Sequence, residues 1–490
     1  MKFPKAAPVD PLSAIPSTAS FIAYHAARRP ADPAAIVNGR EIPYAAFRDD
    51  LGRMVAASRD MGLAPGQVAA VGAADTYLHL LAVLAFEALG VTTYSYHEDE
   101  APFIGDILAK VDLVMCAPES PPAEAKRAQP MDEAWYDAVM DLAPQAPEDT
   151  TRIGPDTPLR LIKSSGTTGD MKWMIHTGRV VDFMVDNYRF RGGLNRQSRF
   201  LVTTGFNLQP YHYFAISCLR SGGTCIYGGG ETIADALRSQ AVTHVLFQPR
   251  TLVQVLDELP ADYVRPAGLS VSTVSGPVSD TLRARTRERL ADEIMTAYGT
   301  MEIGSIGAIG GDGIGTVFPG VRMEVVDDDD RPVVGAPGQV RVQSAGDVGG
   351  YLNDPAATGR MFRDGWFYPG DVAVMKDSST FKLIGRADDL LNIGGLKFSP
   401  QAWEEELTRV LPVKDVCLIT RDDDADAGRL WVVVVPEDPQ EMARMKDDAA
   451  SLLPDMLGEL AFVAVEDIPR TATGKVRRNQ LREILAQGAG

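Results

Sequence analysis

The sequence predicts an α/β protein. A large N-terminal domain of βαβ layers carries a smaller β subdomain, and a small α+β domain follows on a flexible linker. Three observations lead there. Strand-like and helix-like runs alternate through residue 297. After about residue 314 the runs shorten and turn residues separate them. From Gly385 a cluster of Gly, Asp, Asn and Pro precedes a last mixed set of helices and strands. The expected boundaries are 1–386 for the N-terminal domain, with the β subdomain at about 314–384, and 387–490 for the C-terminal domain.

The elements follow in order. The run 44-YAAFRDDLGRMVAASRDMG-62 spaces its apolar residues at the helical period and stops at Gly62. The run 67-QVAAVGA-73 reads as a buried strand, 78-LHLLAVLAFEALGV-91 as a buried helix and 91-VTTYSY-96 as a strand. Such alternation implies parallel βαβ units. It recurs in strand 199–205, helix 211–220, strand 224–228, helix 231–240 and strand 243–248, then through 281–297. The segment 321-VRMEVVDDDDRPVVGAPGQVRVQ-343 reads as antiparallel, with Asp327–Asp330 as a solvated hairpin turn. Beyond the linker come helix 401–411, strands 415–420 and 430–437, and a helix near 441–453.

Composition narrows the function. The 490 residues are 45% hydrophobic with a formal charge of −18, and the sequence pI is about 4.8. That length suits about three domains or subdomains. The acidity argues against nucleic acid or an anionic membrane surface as main partner. Cys116, Cys218, Cys225 and Cys417 are scattered without metal-site spacing, which fits a reducing cytoplasm. The N-terminus lacks a signal-peptide core. Residues 78–91 are too short and too polar, with His79 and Glu87, for a membrane span.

The most informative stretch is 161-LIKSSGTTGDMKWMIHT-177. Strand-like runs enter and leave it. Consecutive small residues turn backbone N–H groups toward one point, a concavity that binds phosphate oxygens. Thr167 and Thr168 add hydroxyls, and Lys163 and Lys172 bracket the loop with charge. The spacing is not that of the common P-loop. A plain Gly/Ser surface loop is the competing reading.

Further segments carry a resemblance. SSGTTGDMK resembles the [ST]SG[ST]TGxPK signature of the AMP-forming adenylating superfamily, which includes acyl-CoA synthetases, peptide-synthetase adenylation domains and luciferases. In the same order, 298-YGTME-302 resembles YGxTE, and 365-GWFYPGD-371 resembles GWxxTGD. The segment 385-GRADDLLNIGGLKFSPQAWEEE-406 resembles the hinge segment, and 468-IPRTATGKVRRNQL-481 the terminal one. The resemblance covers nearly the whole chain. It implies activation of a carboxylic acid by ATP as acyl-AMP, release of pyrophosphate, and transfer of the acyl group to a thiol.

Roles carry over residue by residue, as what the resemblance implies. Lys475 would bridge the carboxylate and the α-phosphate, offsetting their repulsion. Glu302 would hold Mg²⁺ on the phosphates. Ser165, Gly166, Thr167, Thr168, Gly169 and Lys172 would cradle the β- and γ-phosphates, with Lys163 beside them. Tyr298 would stack on adenine, next to Gly299 and Thr300. The run 272-STVSGP-277 adds Gly276 and Pro277 to the adenine side. Asp371 would bind the ribose hydroxyls, helped by Arg386. Asp388 would be the hinge on which the C-terminal domain swings, bringing Gly394 and Gly395 to the thiol tunnel. CoA is the expected acceptor, with a carrier-protein phosphopantetheine as the alternative. A monomer and a homodimer both remain open.

The chain also departs from the pattern. Met171 and Trp173 stand where Pro and Gly are common, and Met301 replaces a phosphate-bonding Thr. Met cannot replace a hydroxyl donor. Thr300 and Ser305 are the substitutes in reach. Asn207, Tyr211 and His212 mark the acyl pocket and suit an aromatic or hydroxylated acid. Base rates make His212 a buried histidine satisfied by backbone. No carboxylate in that stretch meets an α-ammonium group, though Asp182 or Asp186 could. Amide formation, a non-catalytic nucleotide-binding homologue and an oxidative activity are the remaining readings.

Overall fold

The computed structural model describes residues 3–4, 13–72, 76–119, 121–146, 153–165, 171–228, 232–276, 278–292, 294–387, 391–393, 396–398, 400–420, 429–453, 459–470 and 476–488. The chain divides into two compact units. The first comprises Met1–Met323 with Arg341–Pro369; the second comprises Glu324–Val340 with Gly370–Gly490.

Two sheets organise the first unit. One runs in the order Ala128–Pro130, Leu113–Cys116, Val68–Gly72, Thr92–Ser95, Pro158–Ser165, Met171–Thr177. Its strands pair in parallel as far as Pro158–Ser165. The last pair is antiparallel. The other sheet includes Pro33–Val37, Thr224–Tyr227, Arg199–Val202, His244–Phe247, Ser270–Thr273 and Ile294–Thr300 in that spatial order, all parallel. Ile294–Thr300 then pairs antiparallel with Gly304–Ile309. The alternating runs of the sequence thus form the expected βαβ layers.

Helix Thr76–Leu89 shows why its sequence is almost wholly apolar. Every residue from Tyr77 to Leu89 is buried. It shares a core with helix Tyr44–Asp60 through Phe47, Leu51, Leu81 and Val83. Its polar residues are each satisfied by a partner, as burial demands. His79 Nε2 lies 2.8 Å from Ser95 Oγ. Glu87 accepts from the Thr18 backbone N–H at 2.7 Å and from its hydroxyl at 3.2 Å. Arg220, at the end of helix Gln209–Arg220, reaches Glu87 at 3.6 Å and Asp182 at 2.7 Å. The four cysteines are reduced and buried.

In the second unit, Asp371–Met375 pairs antiparallel with Thr380–Arg386. The Asp327–Asp330 run is the solvated turn the sequence suggested. Asp327 Oδ1 accepts from the backbone N–H of Asp329 and Arg331. Further on, Arg429–Pro436 lies between Val413–Ile419, antiparallel, and Glu459–Ala464, parallel. Leu407, Val416, Val432 and Met445 close a separate small core. Arg478 reaches Glu404 Oε1 at 2.6 Å, and that oxygen also accepts from Leu418 N–H.

Arg220 and Glu87 expose only 5% and 8% of their side chains. Removing one partner strands a buried charge. Arg220→Met should therefore cost about 3–5 kcal/mol, measured by urea unfolding. A loss below about 1 kcal/mol would mean that the Thr18 donors satisfy Glu87 alone.

Candidate active site

The phosphate-loop segment is a hairpin. Pro158–Ser165 and Met171–Thr177 pair in a register that sets Ser164 opposite Lys172 and Lys163 opposite Trp173. Opposed residues share a face and neighbours alternate. Ser164 and Lys172 therefore share one face, and Lys163 and Trp173 the other. Lys163 Nζ contacts Glu100 Oε2 at 2.5 Å. Lys163 thus pairs with a carboxylate on the face opposite Lys172. Trp173 packs edge-on against Tyr94. Strands flank the loop as expected. Gly166, Thr167, Thr168, Gly169, Pro277, Asp388, Gly394, Gly395 and Lys475 lie outside the described residues. Ser165 ends the first strand.

Glu302 comes to the Lys172 face. It follows strand Ile294–Thr300, which carries Tyr298, Gly299 and Thr300. A Cβ on Gly299 would lie 2.5 Å from the Gly304 carbonyl oxygen, so the strand pair admits only glycine there. Buried Glu302 accepts at Oε1 from Ser164 Oγ (3.2 Å) and from Tyr351 OH (2.8 Å). Lys172 Nζ sits 5.1 Å from the centre of the Tyr351 ring, within cation–π range. Tyr351 was missed by the sequence reading. Its signal was the pair Gly349-Gly350, whose φ values of 72° and 147° turn the chain into the site.

The substitutes for the missing Thr behave differently. Ser305 hydrogen-bonds Tyr188. Thr300 Oγ1 is shielded from solvent and has no hydrogen-bond partner among the described residues. An orphaned hydroxyl is costly unless a ligand satisfies it, and this one fits a phosphate or ribose oxygen. Met301 packs its side chain against Ile162, Met174 and Tyr351. After strand Ser270–Thr273, Ser275 adopts a left-handed φ of 69° just before Gly276, a backbone strain of the sort that collects at binding sites.

On the acyl side, Asn207 Nδ2 donates to Glu100 Oε1 at 3.2 Å. Glu100 thus joins Lys163 to Asn207, a link between loops that no sequence pattern announces. Burial pushes the Tyr211 hydroxyl up to about 12. His212 is buried as expected, but its Nδ1 has no hydrogen-bond partner among the described residues; it packs edge-on against Phe206. Asp182 is held by Arg220, and Asp186 lies 3.7 Å from Arg189. In the second unit, Asp371 and Arg386 are direct cross-strand partners. Their side chains meet at 3.2 Å, with Asp371 buried.

Comparison with known proteins identifies the family. Residues 22–352 match the AMP-binding enzyme family, and the protein belongs to it. The chain is 26% identical over 479 residues to CymA of Salinispora arenicola, described as a nonribosomal peptide synthetase. That match covers 92% of this chain and 6% of CymA, so the chain spans a small part of that relative's length. It is 24% identical over 404 residues to the indoleacetate–CoA ligase of Aromatoleum aromaticum, covering 78% of this chain and 76% of that one. The fold matches that of o-succinylbenzoate coenzyme A synthetase (MenE) from Bacillus subtilis in complex with AMP. There the TM-score is 0.81 at 20% identity, over 95% of this chain and 98% of that one.

Burial lowers the His176 imidazole to about 3 and holds His212 well below its ordinary value. Both are neutral when folded. Because the folded value lies below the unfolded value of about 6.5, this stability is whole above pH 6.5 and is lost as pH falls toward the folded value. Each such histidine should cost about 2 kcal/mol between pH 7 and pH 5. Urea unfolding at the two pH values should show a shallower pH dependence for His212→Phe. An unchanged dependence would mean that His212 takes up a proton in the native state.

Proposed function

We propose that the protein is an AMP-forming acid–thiol ligase. It condenses a carboxylic acid with ATP to acyl-AMP, releases pyrophosphate and passes the acyl group to CoA. The observation that carries this reading is the buried Glu302 carboxylate, held by Ser164 and Tyr351 on the Lys172 face of the hairpin that bears SSGTTGDMK. One carboxylate fits Mg²⁺, which keeps most of its ligands as water and phosphate oxygen. When bound, the ion draws charge from the phosphates.

The residues divide the work. Lys172 supplies fixed positive charge beside the phosphates, and Ser165 to Gly169 cradle them. Thr300 offers its hydroxyl. Tyr298, Gly299, Gly276 and Pro277 receive adenine, and Asp371 with Arg386 receives the ribose. Lys475 stabilises the meeting of carboxylate and α-phosphate. Residues 387–490 then swing about Asp388 and bring Gly394 and Gly395 to the thiol. Asn207, Tyr211 and His212 line the acid's pocket. Glu100 and Asp182 already hold cations, which argues against an α-amino acid.

A second reading has the acyl group loaded onto a carrier-protein phosphopantetheine, and the likeness to CymA favours it. The test is pyrophosphate release from Mg²⁺–ATP over aryl, short-chain, long-chain and amino acids, each with and without CoA. Turnover only with CoA supports the ligase. Enzyme-bound acyl-AMP that CoA does not discharge supports the carrier protein.

With the acid so found, Lys475→Ala should lower the adenylation rate by roughly 10²–10³-fold while ATP binding survives. Wild-type pyrophosphate exchange in that variant would remove Lys475 from its role. Asp371→Ala should weaken ATP binding roughly tenfold or more by calorimetry; an unchanged dissociation constant would refute the ribose assignment.

A further inference from the structure

His176 lies at the C-terminal side of the hairpin and is wholly buried. Its ring touches two other parts of the site. Nε2 lies 2.9 Å from the Met301 carbonyl oxygen. Nδ1 lies 2.6 Å from Tyr213 OH, on the helix that also carries Tyr211 and His212. A carbonyl can only accept, so Nε2 carries the proton and Nδ1 accepts from the tyrosine hydroxyl. Burial keeps the ring neutral, so this one tautomer is fixed. The Tyr213 and His176 rings are also stacked, 12° from parallel.

The turn that presents Glu302 is held by its carbonyls. Glu302 O accepts from Val348 N–H at 3.1 Å. Ile303 O accepts from Ser344 Oγ at 2.9 Å. Met301 O is held by His176. Of these donors, only His176 belongs to the hairpin that carries Ser164 and Lys172. Met301 also lacks the hydroxyl that a Thr would offer at this position, so its side chain makes no polar anchor.

We propose that His176 is a positioning residue, a strut that fixes the Met301–Glu302 peptide against the phosphate-loop hairpin and keeps the Glu302 carboxylate aimed at a phosphate-bound cation. A buried histidine bonded only for satisfaction would tie together whatever lay nearby. This one joins the hairpin, the Glu302 turn and the acyl helix. The proposal rests on the reading that Glu302 holds Mg²⁺.

The test needs no acid substrate. ATP binding is titrated by calorimetry with Mg²⁺ and with EDTA, and AMP binding with EDTA, after thermal melting confirms folding. In His176→Phe the gain in ATP affinity that Mg²⁺ confers should fall roughly five- to tenfold, about the worth of one buried hydrogen bond. AMP affinity should not change. His176→Gln, whose amide N–H can reach Met301 O, should restore most of the gain. Tyr213→Phe keeps the imidazole and its Nε2–H but removes the hydroxyl that holds Nδ1 and orients the ring, and should lose roughly two- to threefold; it serves if His176→Phe does not fold. Glu302→Gln tests the underlying reading. If Glu302→Gln loses the Mg²⁺ gain and His176→Phe keeps it, the strut alone is overturned. If Glu302→Gln keeps the gain, the Mg²⁺ assignment and the strut fall together. Equal losses in His176→Phe and His176→Gln would mean general damage, and would also overturn the strut.

Discussion

The pairing register of one hairpin governs the site. Pro158–Ser165 and Met171–Thr177 meet so that Ser164 faces with Lys172, and Lys163 with Trp173. A slip of one residue would exchange those faces. Lys172 and Ser164 would then leave Glu302, and Lys163 would lose Glu100. Parallel pairing to Thr92–Ser95 pins the hairpin on one side. The buried Arg160, bonded to Thr93 and Ser95, pins it further.

Much of this was legible in the sequence because periodicity and small-residue clusters are local signals. The βαβ alternation of 67–96, the buried helix carrying His79 and Glu87, and the Asp327–Asp330 turn could each be read from one short continuous segment. The strands flanking SSGTTGDMK could be read as well. The joining of Lys163 to Glu100 and of Tyr351 to Glu302 could not. Those partners are 63 and 49 residues apart, and no period spans such distances. Lys163 and Lys172 look equivalent as a string; only the alternation of a paired strand separates them. His212 shows the reverse. Its burial followed from composition, but that Nδ1 has no partner among the described residues depended on the packing of Phe206 and Tyr213 around it.

Met301 shows how a lost functional group is absorbed. Its side chain joins an apolar cluster with Ile162 and Met174, while polar work at this turn falls to neighbours. One residue earlier, Thr300 keeps a hydroxyl that has no partner among the described residues. The turn is held by its backbone, through carbonyls that any residue would supply. A side-chain substitution at 301 is therefore compatible with an intact Glu302, whose own partners, Ser164 and Tyr351, come from elsewhere in the unit.

The four buried thiols have a practical consequence. Burial raises Cys116, Cys225 and Cys417 above the ordinary thiol range, and thiolate is the reactive form. The folded protein should be nearly inert toward maleimides. A cysteine placed at an exposed side chain such as Phe190 or Val264 would then be the one position that takes a dye. With the native thiols buried, the background should be low, so distance and rotation could be followed in single molecules without first stripping the core of its own sulfur.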